Sequence, residues 1–291
     1  MPDQAKRLRT ILRPAGRHWV GDGFPVRTLF AYPALGAALS PFLLFDYAGP
    51  RDFPPTDQRL GVGEHPHRGF ETVTLVISGQ VDHRDSSGGG GTIAEGDVQW
   101  MTAGGGLVHE EMHGADFRRD GGVFEVVQLW VNLPIAHKMT PPRYQSITAD
   151  QIPVVEFDEG KVQARVIAGE LRGAKGPAET FSPMLVAELT LQPGAQLGLE
   201  LPAGWTTLLG VLRGPVQLCD GKTVEEAEVA LLDPTGTRFD LAAERASHLI
   251  LLAGEPLHEP IAGRGPFVMT TDDELAQAFA DFRAGKMGRL S

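Results

Sequence analysis

The chain has 291 residues, 42% of them apolar, and 26 Lys and Arg against 37 Asp and Glu give a formal net charge of −11. That length suits about two ordinary domains, each with a core of its own. The acidic balance lacks the concentrated positive surface that nucleic acid and anionic membranes require, which leaves a small molecule or a protein as the expected partner.

The 36 glycines and 22 prolines suit many short strands joined by tight turns. The amino-terminal MPDQAKRLRTILRPAG has no continuous apolar stretch, so no secretory leader is expected there. No window approaches the roughly 20 apolar residues of a membrane span. The single cysteine, Cys219, cannot form an internal disulfide, and in its apolar run VQLC it is expected to be a buried, inert thiol. A cytoplasmic monomer is the expectation.

In chain order, the first dense polar stretch is Glu64-His65-Pro66-His67-Arg68-Gly69-Phe70-Glu71. In a strand His65 and His67 project to one face. TVTLVISG (72–79) then reads as a strand. The glycine run 86–91 reads as a flexible hairpin loop, because no Lys-Ser/Thr follows to make it a phosphate loop. GDVQWMTAG (96–104) is the next strand, and after it His109 and Glu111 repeat the spacing of two, with Glu110 on the other face. FEVVQLWVNLP (124–134) and VQARVIAGE (162–170) are strands on either side of a Pro-rich connection at 139–147. The one convincing helix is terminal: Thr271 to Glu274 forms a capping box, and Leu275, Ala278, Phe279 and Phe282 share a face.

A weak internal repeat orders these elements. Residues 70–81 lie over 205–216 without a gap, 95–101 over 226–232, and 126–134 over 248–256. Extended backwards, the alignment sets His65 and His67 over Glu200 and Pro202, so any metal belongs to the first copy. The expected fold is mainly β: two tandem jelly-roll β-barrels, at 1–138 and 139–270, and a carboxy-terminal helix in 271–291.

If adjacent strands bring the two spaced pairs together, three imidazoles and a carboxylate converge. Such a donor set, without thiolate, suits Fe(II), Mn(II), Ni(II), Cu(II) or Zn(II) with positions left for water and substrate. The bland alternative makes His65 and His67 loop residues and Glu110 and Glu111 solvated ones. His18, His83, His113, His137, His248 and His258 are read as ordinary polar or core residues, His113 being the one that shares the parity of His109. Glu71 competes with Glu111 for the carboxylate place, and Arg68 is read as an exposed ion pair or an anchor for a substrate anion.

HPHRGFETV (65–73), GDVQWMTAGGGLVHEE (96–111), QLWVNLP (128–134) and GEPLHEP…GPFVMTTDDEL (254–275) together resemble the pirin family, which are bicupins. The resemblance implies two cupin barrels and one divalent metal in the first, Fe(II) foremost, with Zn, Mn, Ni, Cu or Co as alternatives. By the same resemblance His65, His67, His109 and Glu111 are the ligands, and Glu71 is left behind them. It further implies a quercetin 2,3-dioxygenase-type activity on a flavonol with O₂, Glu111 doubling as the base. The alternative it implies is an iron-dependent regulatory protein that acts through a protein partner.

Overall fold

Period-two alternation produces strands where it is found: Phe70–Ser78, Val98–Thr102, Gly122–Asn132 and Val162–Ala168 cover most of the four runs singled out above. The computed structural model describes residues 5–290; residues 1–4 and Ser291, with the parts of the amino-terminal and terminal-helix readings that fall on them, lie outside the described residues. Among the described residues no helix is long and apolar enough to cross a membrane.

The protein is mainly β and falls into two compact units. One, the histidine-bearing unit, comprises Gly16–Ala37, Phe42–Ala149 and His258–Ser291, of which the last residue is not described. Its seven-stranded antiparallel sheet runs in the order Arg143–Ile147, Val98–Thr102, Phe70–Ser78, Gly122–Asn132, Phe42–Phe53, Phe24–Ala31, His18–Val20. Its four-stranded sheet runs Gly61–His67, Leu107–His113, Gln80–Asp85, Gly90–Ala94. Val76, Phe124 and Val126 of the first sheet pack with Val81 and Ile93 of the second, so the two sheets face each other as in a jelly roll.

The second unit repeats the plan. Its seven strands run Leu8–Leu12, Val229–Leu232, Thr206–Arg213, Ser247–Gly254, Met184–Leu191, Val162–Ala168, Val154–Phe157, and its four run Ala195–Glu200, Arg238–Ala243, Val216–Leu218, Thr223–Val224. Strands 98–102, 70–78 and 122–132 of one unit thus recur in the same spatial order as 229–232, 206–213 and 247–254 of the other, which is the order of the sequence repeat. The boundary drawn from the sequence at 138/139 follows chain order, whereas the units do not: strand Leu8–Leu12 pairs inside the second unit, and 258–290 belong to the histidine-bearing one.

Three local expectations are corrected. Arg143–Ile147, inside the supposed connection, is a strand paired with Val98–Thr102. Cys219 is exposed, because the strand stops at Leu218 and the thiol falls in the turn that follows; slight burial, with Asp220 and Asp240 nearby, still raises its pKa. The gapless alignment is one residue out of phase before 205, since Glu200 is exposed while Leu197, Leu199 and Leu201 are buried. A slip of one exchanges the two faces of a strand.

The carboxy-terminal segment docks by specific contacts. Helix Asp272–Arg283 has the expected capping box on Thr271. It buries Leu275, Ala278 and Asp281, and Phe279 and Phe282 stand edge-on to Phe267 at 4.9 and 6.3 Å, Phe282 with 39% of its surface still exposed. Lys138 lies beneath this segment, 2% exposed. Its ammonium donates to Gly69 O at 2.8 Å, Asn132 Oδ1 at 2.8 Å and Val268 O at 3.0 Å, and burial lowers its pKa to about 8. Replacing Lys138 with Met strips three buried acceptors of their donor. Chemical denaturation of Lys138→Met is expected to show a loss of roughly 3 kcal/mol; an unchanged midpoint would mean that water replaces the ammonium at no cost.

Candidate metal centre

The site is assembled by cross-strand register. Strand Leu107–His113 lies between strands Gly61–His67 and Gln80–Asp85, antiparallel to both. On one side His109 stands opposite His65 and Leu107 opposite His67; on the other, His109 stands opposite Asp85 and Glu111 opposite His83. Because alternate residues share a face, His65, His67, His83, Asp85, His109 and Glu111 all belong to one surface.

Two overlapping groups result. One ligand atom from each of His65, His67 and His109 lies within 4.8 Å of the others, and the same holds for His83, His109 and Glu111. His109 is common to both groups. Of the four residues expected as ligands, His65, His67 and His109 share one group, and Glu111 shares the other with His109 and with His83, which was not expected there.

The histidines are oriented by their other nitrogens. His65 Nδ1 lies 2.8 Å from Gly63 O and His67 Nδ1 lies 3.3 Å from Pro266 O. A carbonyl only accepts, so each Nδ1 carries the proton and each Nε2 is left with its lone pair. His109 Nε2 is buried without a hydrogen-bond partner. Burial, then the neighbouring imidazoles, hold His67 and His109 well below the ordinary histidine range, so both are neutral at pH 7. Buried neutral imidazoles with free lone pairs are costly as a bare cluster, and a divalent cation satisfies them. The residues fit a metal.

Glu111 is 2% exposed and is held by neutral donors: Thr74 Oγ1 donates to its Oε1 at 3.0 Å and Gln128 Nε2 to its Oε2 at 2.9 Å. Thr74 and Gln128 are themselves cross-strand neighbours on the seven-stranded sheet. That sheet thus fixes a carboxylate carried by the facing sheet while leaving it free lone pairs.

The other candidates go elsewhere. Glu110 projects to the far face, where Arg84 and Arg59 donate to it at 2.6 and 2.9 Å. His113 sits among Phe24, Phe53, Phe117 and Phe124, its Nε2 2.9 Å from Gly23 O, and is a core histidine. Arg68, expected to be exposed, is 4% exposed; it donates to Gly105 O at 2.8 Å and pairs with Asp281 at 2.9 Å, tying the terminal helix to the residue beside His67. Glu71 is on the opposite face of its strand from Thr74 and accepts from Thr102 Oγ1 at 2.7 Å.

His83 and Asp85 are the residues that sequence reasoning missed. They are 4% and 7% exposed, and the His83 ring stacks on Tyr144 at 5.1 Å. The signal was present as H-x-D at 83–85, the same spacing of two that marked the other pairs. Burial opposes ionisation of Asp85, but hydrogen bonds from His83, Ser87 and Gly89 outweigh it and hold the carboxyl at about 2.

Two facing-sheet units, one with an inward histidine cluster and one with an apolar interior, define a bicupin. Residues 23–131 match the family model Pirin, and residues 186–288 match the pirin C-terminal cupin domain. A Pseudomonas aeruginosa protein named "Putative quercetin 2,3-dioxygenase" is 54% identical over 284 residues, covering 98% of this chain and 99% of its own. Human pirin is 38% identical over 274 residues, covering 92% of this chain and 89% of its own. A solved structure of quercetin 2,3-dioxygenase from Acinetobacter baumannii is 52% identical with a TM-score of 0.97, covering 99% of this chain and 100% of that one. The chain belongs to the pirin family.

Glu71 yields a pH test. Burial raises its pKa from 4.5 to about 7, against the opposing hydrogen bond of Thr102. Between those values the unfolded chain has lost this proton and the folded chain keeps it, so Glu71 makes stability fall as pH rises from about 4.5 to about 7. Glu71→Gln keeps an acceptor for Thr102 and removes the titration. Its stability relative to the parent should therefore improve by on the order of 2 kcal/mol between pH 4.5 and pH 8; a difference that stays flat with pH would exclude a raised Glu71 pKa.

Proposed function

We propose that this is a metal-dependent dioxygenase that opens a flavonol ring with O₂, and that His65, His67, His109 and Glu111 hold its divalent metal, Fe(II) foremost. The carrying observation is the convergence of His65, His67 and His109, with carbonyls fixing the first two as Nε2 donors and an oriented carboxylate two residues beyond the third. The identities to proteins named for quercetin 2,3-dioxygenase support the substrate class. When bound, the metal supplies Lewis acidity and a one-electron couple suited to O₂.

The chain's own residues supply the rest. Glu111 takes the proton of the flavonol 3-hydroxyl, and Thr74 and Gln128 keep its carboxylate aimed while it does so. The burial of His67 and His109 excludes bulk water from their side of the site. Localisation in the cytoplasm and a monomeric state belong to the same proposal.

The family's other reading, an iron-dependent protein that modulates a partner, has its support in the relatives named pirin. The two readings separate in one experiment. Iron-loaded protein under air should consume quercetin and release carbon monoxide. His65→Ala/His67→Ala should lose at least about 100-fold in rate, and Glu111→Gln should lower kcat more than it alters KM. Turnover no higher than that of the double variant would overturn the dioxygenase reading, and partners that bind only one oxidation state of the iron would then favour the other.

A further inference from the structure

We propose that Asp85 and His83 form a hydrogen-bonded relay that fixes the tautomer of His109, which makes His83 a positioning residue for the nitrogen that His109 offers to the metal. The proposal deepens the metal reading and rests on it. It begins from the contacts behind His109. His109 Nδ1 lies 3.4 Å from His83 Nδ1, and His83 Nε2 lies 3.6 Å from Asp85 Oδ2. The far oxygen, Asp85 Oδ1, accepts from Ser87 N at 2.7 Å, Ser87 Oγ at 2.6 Å and Gly89 N at 3.0 Å.

The protons follow from what each atom is able to do. Asp85 is a carboxylate whose Oδ1 is fully engaged by the Ser87–Gly89 turn, which leaves Oδ2 turned to His83. Oδ2 and His83 Nε2 are both buried without another partner. Each satisfies the other only if His83 Nε2 carries the proton, because a carboxylate only accepts. A neutral His83 then has its lone pair on Nδ1 and must accept there. The adjacent His109 Nδ1 is accordingly the donor, and His109 Nε2, buried and unpartnered, keeps the lone pair for the metal. The chain of donors runs from His109 to His83 to Asp85. Both distances are at the long end for hydrogen bonds.

The surroundings hold this geometry rather than merely permit it. Tyr144 stacks on His83 with ring planes at 21°. At Gly89 a Cβ would stand 2.4 Å from Asp85 Oδ2 and 2.7 Å from Tyr144 Cβ, so the loop closes over the carboxylate only with glycine there. The glycine-rich loop, which joins the hairpin strands Gln80–Asp85 and Gly90–Ala94, is thus also the cradle of the relay's anchor. Histidine ligands take an orientation from the partner of their other nitrogen: for His65 and His67 that partner is a carbonyl, and for His109 it is His83.

Nitrogen-15 NMR of the metal-free protein at pH 7.5 reads the tautomer directly, with the His109 signals assigned from a His109→Asn sample. The expected result is a single Nδ1–H tautomer at His109. His83→Phe, which keeps the ring stack but has no acceptor, should give a mixture of tautomers. His83→Gln, whose amide accepts from His109 and donates to Asp85, should restore the single form. Competition with a chelator for Zn²⁺ should show His83→Phe binding about 10- to 100-fold more weakly and His83→Gln within a few-fold of the parent. An Nε2–H tautomer at His109 in the unmodified protein would overturn the relay, as would Gln as poor as Phe in both measurements. Failure of the unmodified protein to bind Zn²⁺ more tightly than His65→Ala/His67→Ala would bring down the metal reading instead, and the tautomer would still decide the relay, because it is read without metal.

Discussion

The register of three antiparallel strands, with His109 opposite His65 on one side and Asp85 on the other, is the constraint from which the site follows. Period-two alternation turns that register into a surface on which six polar side chains meet. A slip of one residue in the central strand would replace His109 and Glu111 with Val108, Glu110 and Met112. What prevents the slip is that both faces have their own requirements: Glu110 is held on the far face by Arg59 and Arg84, and Leu107 packs inward with Met101 and Ala103.

Polar groups gathered in a buried place raise a problem of satisfaction, and the unit answers it in layers. Carbonyls take the back nitrogens of His65 and His67; Thr74 and Gln128 take the Glu111 carboxylate. The carboxy-terminal segment belongs to this scheme, since Pro266 supplies the carbonyl behind His67 and Asp281 holds Arg68 next to it. Lys138 fastens that segment to Gly69, two residues past His67. The terminal segment is therefore part of what orients the centre, although it contributes no candidate ligand.

The sequence made legible whatever a single strand decides by itself. The pairs at 65/67 and 109/111 declare a shared face through their spacing, and the capping box at Thr271 declares a helix start. Which strands are neighbours was open, and with it the membership of the site: His83 and Asp85 enter because their strand pairs with the one carrying His109. Contacts such as His67 with Pro266, 199 residues away, and Arg68 with Asp281, 213 away, arise from chain folding and carry no local mark. Two of the errors were local ones at strand ends. Cys219 was misread because one further residue of strand would have buried it, and Glu200 because a gapless alignment ran through a turn of different length.

The second unit shows what the centre costs. Its corresponding four-stranded sheet fills the interior with Leu197, Leu199, Val216, Leu218, Phe239 and Leu241, all in one apolar cluster. Each such side chain contributes roughly 1.5–3 kcal/mol through burial. The histidine-bearing unit forgoes that gain where His65, His67, His83, His109 and Glu111 stand. It recovers stability around them through the aromatic cluster of Phe24, Phe53, Phe117 and Phe124 and through the docked terminal segment. Bound metal would add the remainder, because a ligand that binds only the folded state stabilises it by mass action. One framework thus supports two interiors: hydrocarbon, which is stable alone, and imidazole with carboxylate, a donor set that a bound cation would stabilise.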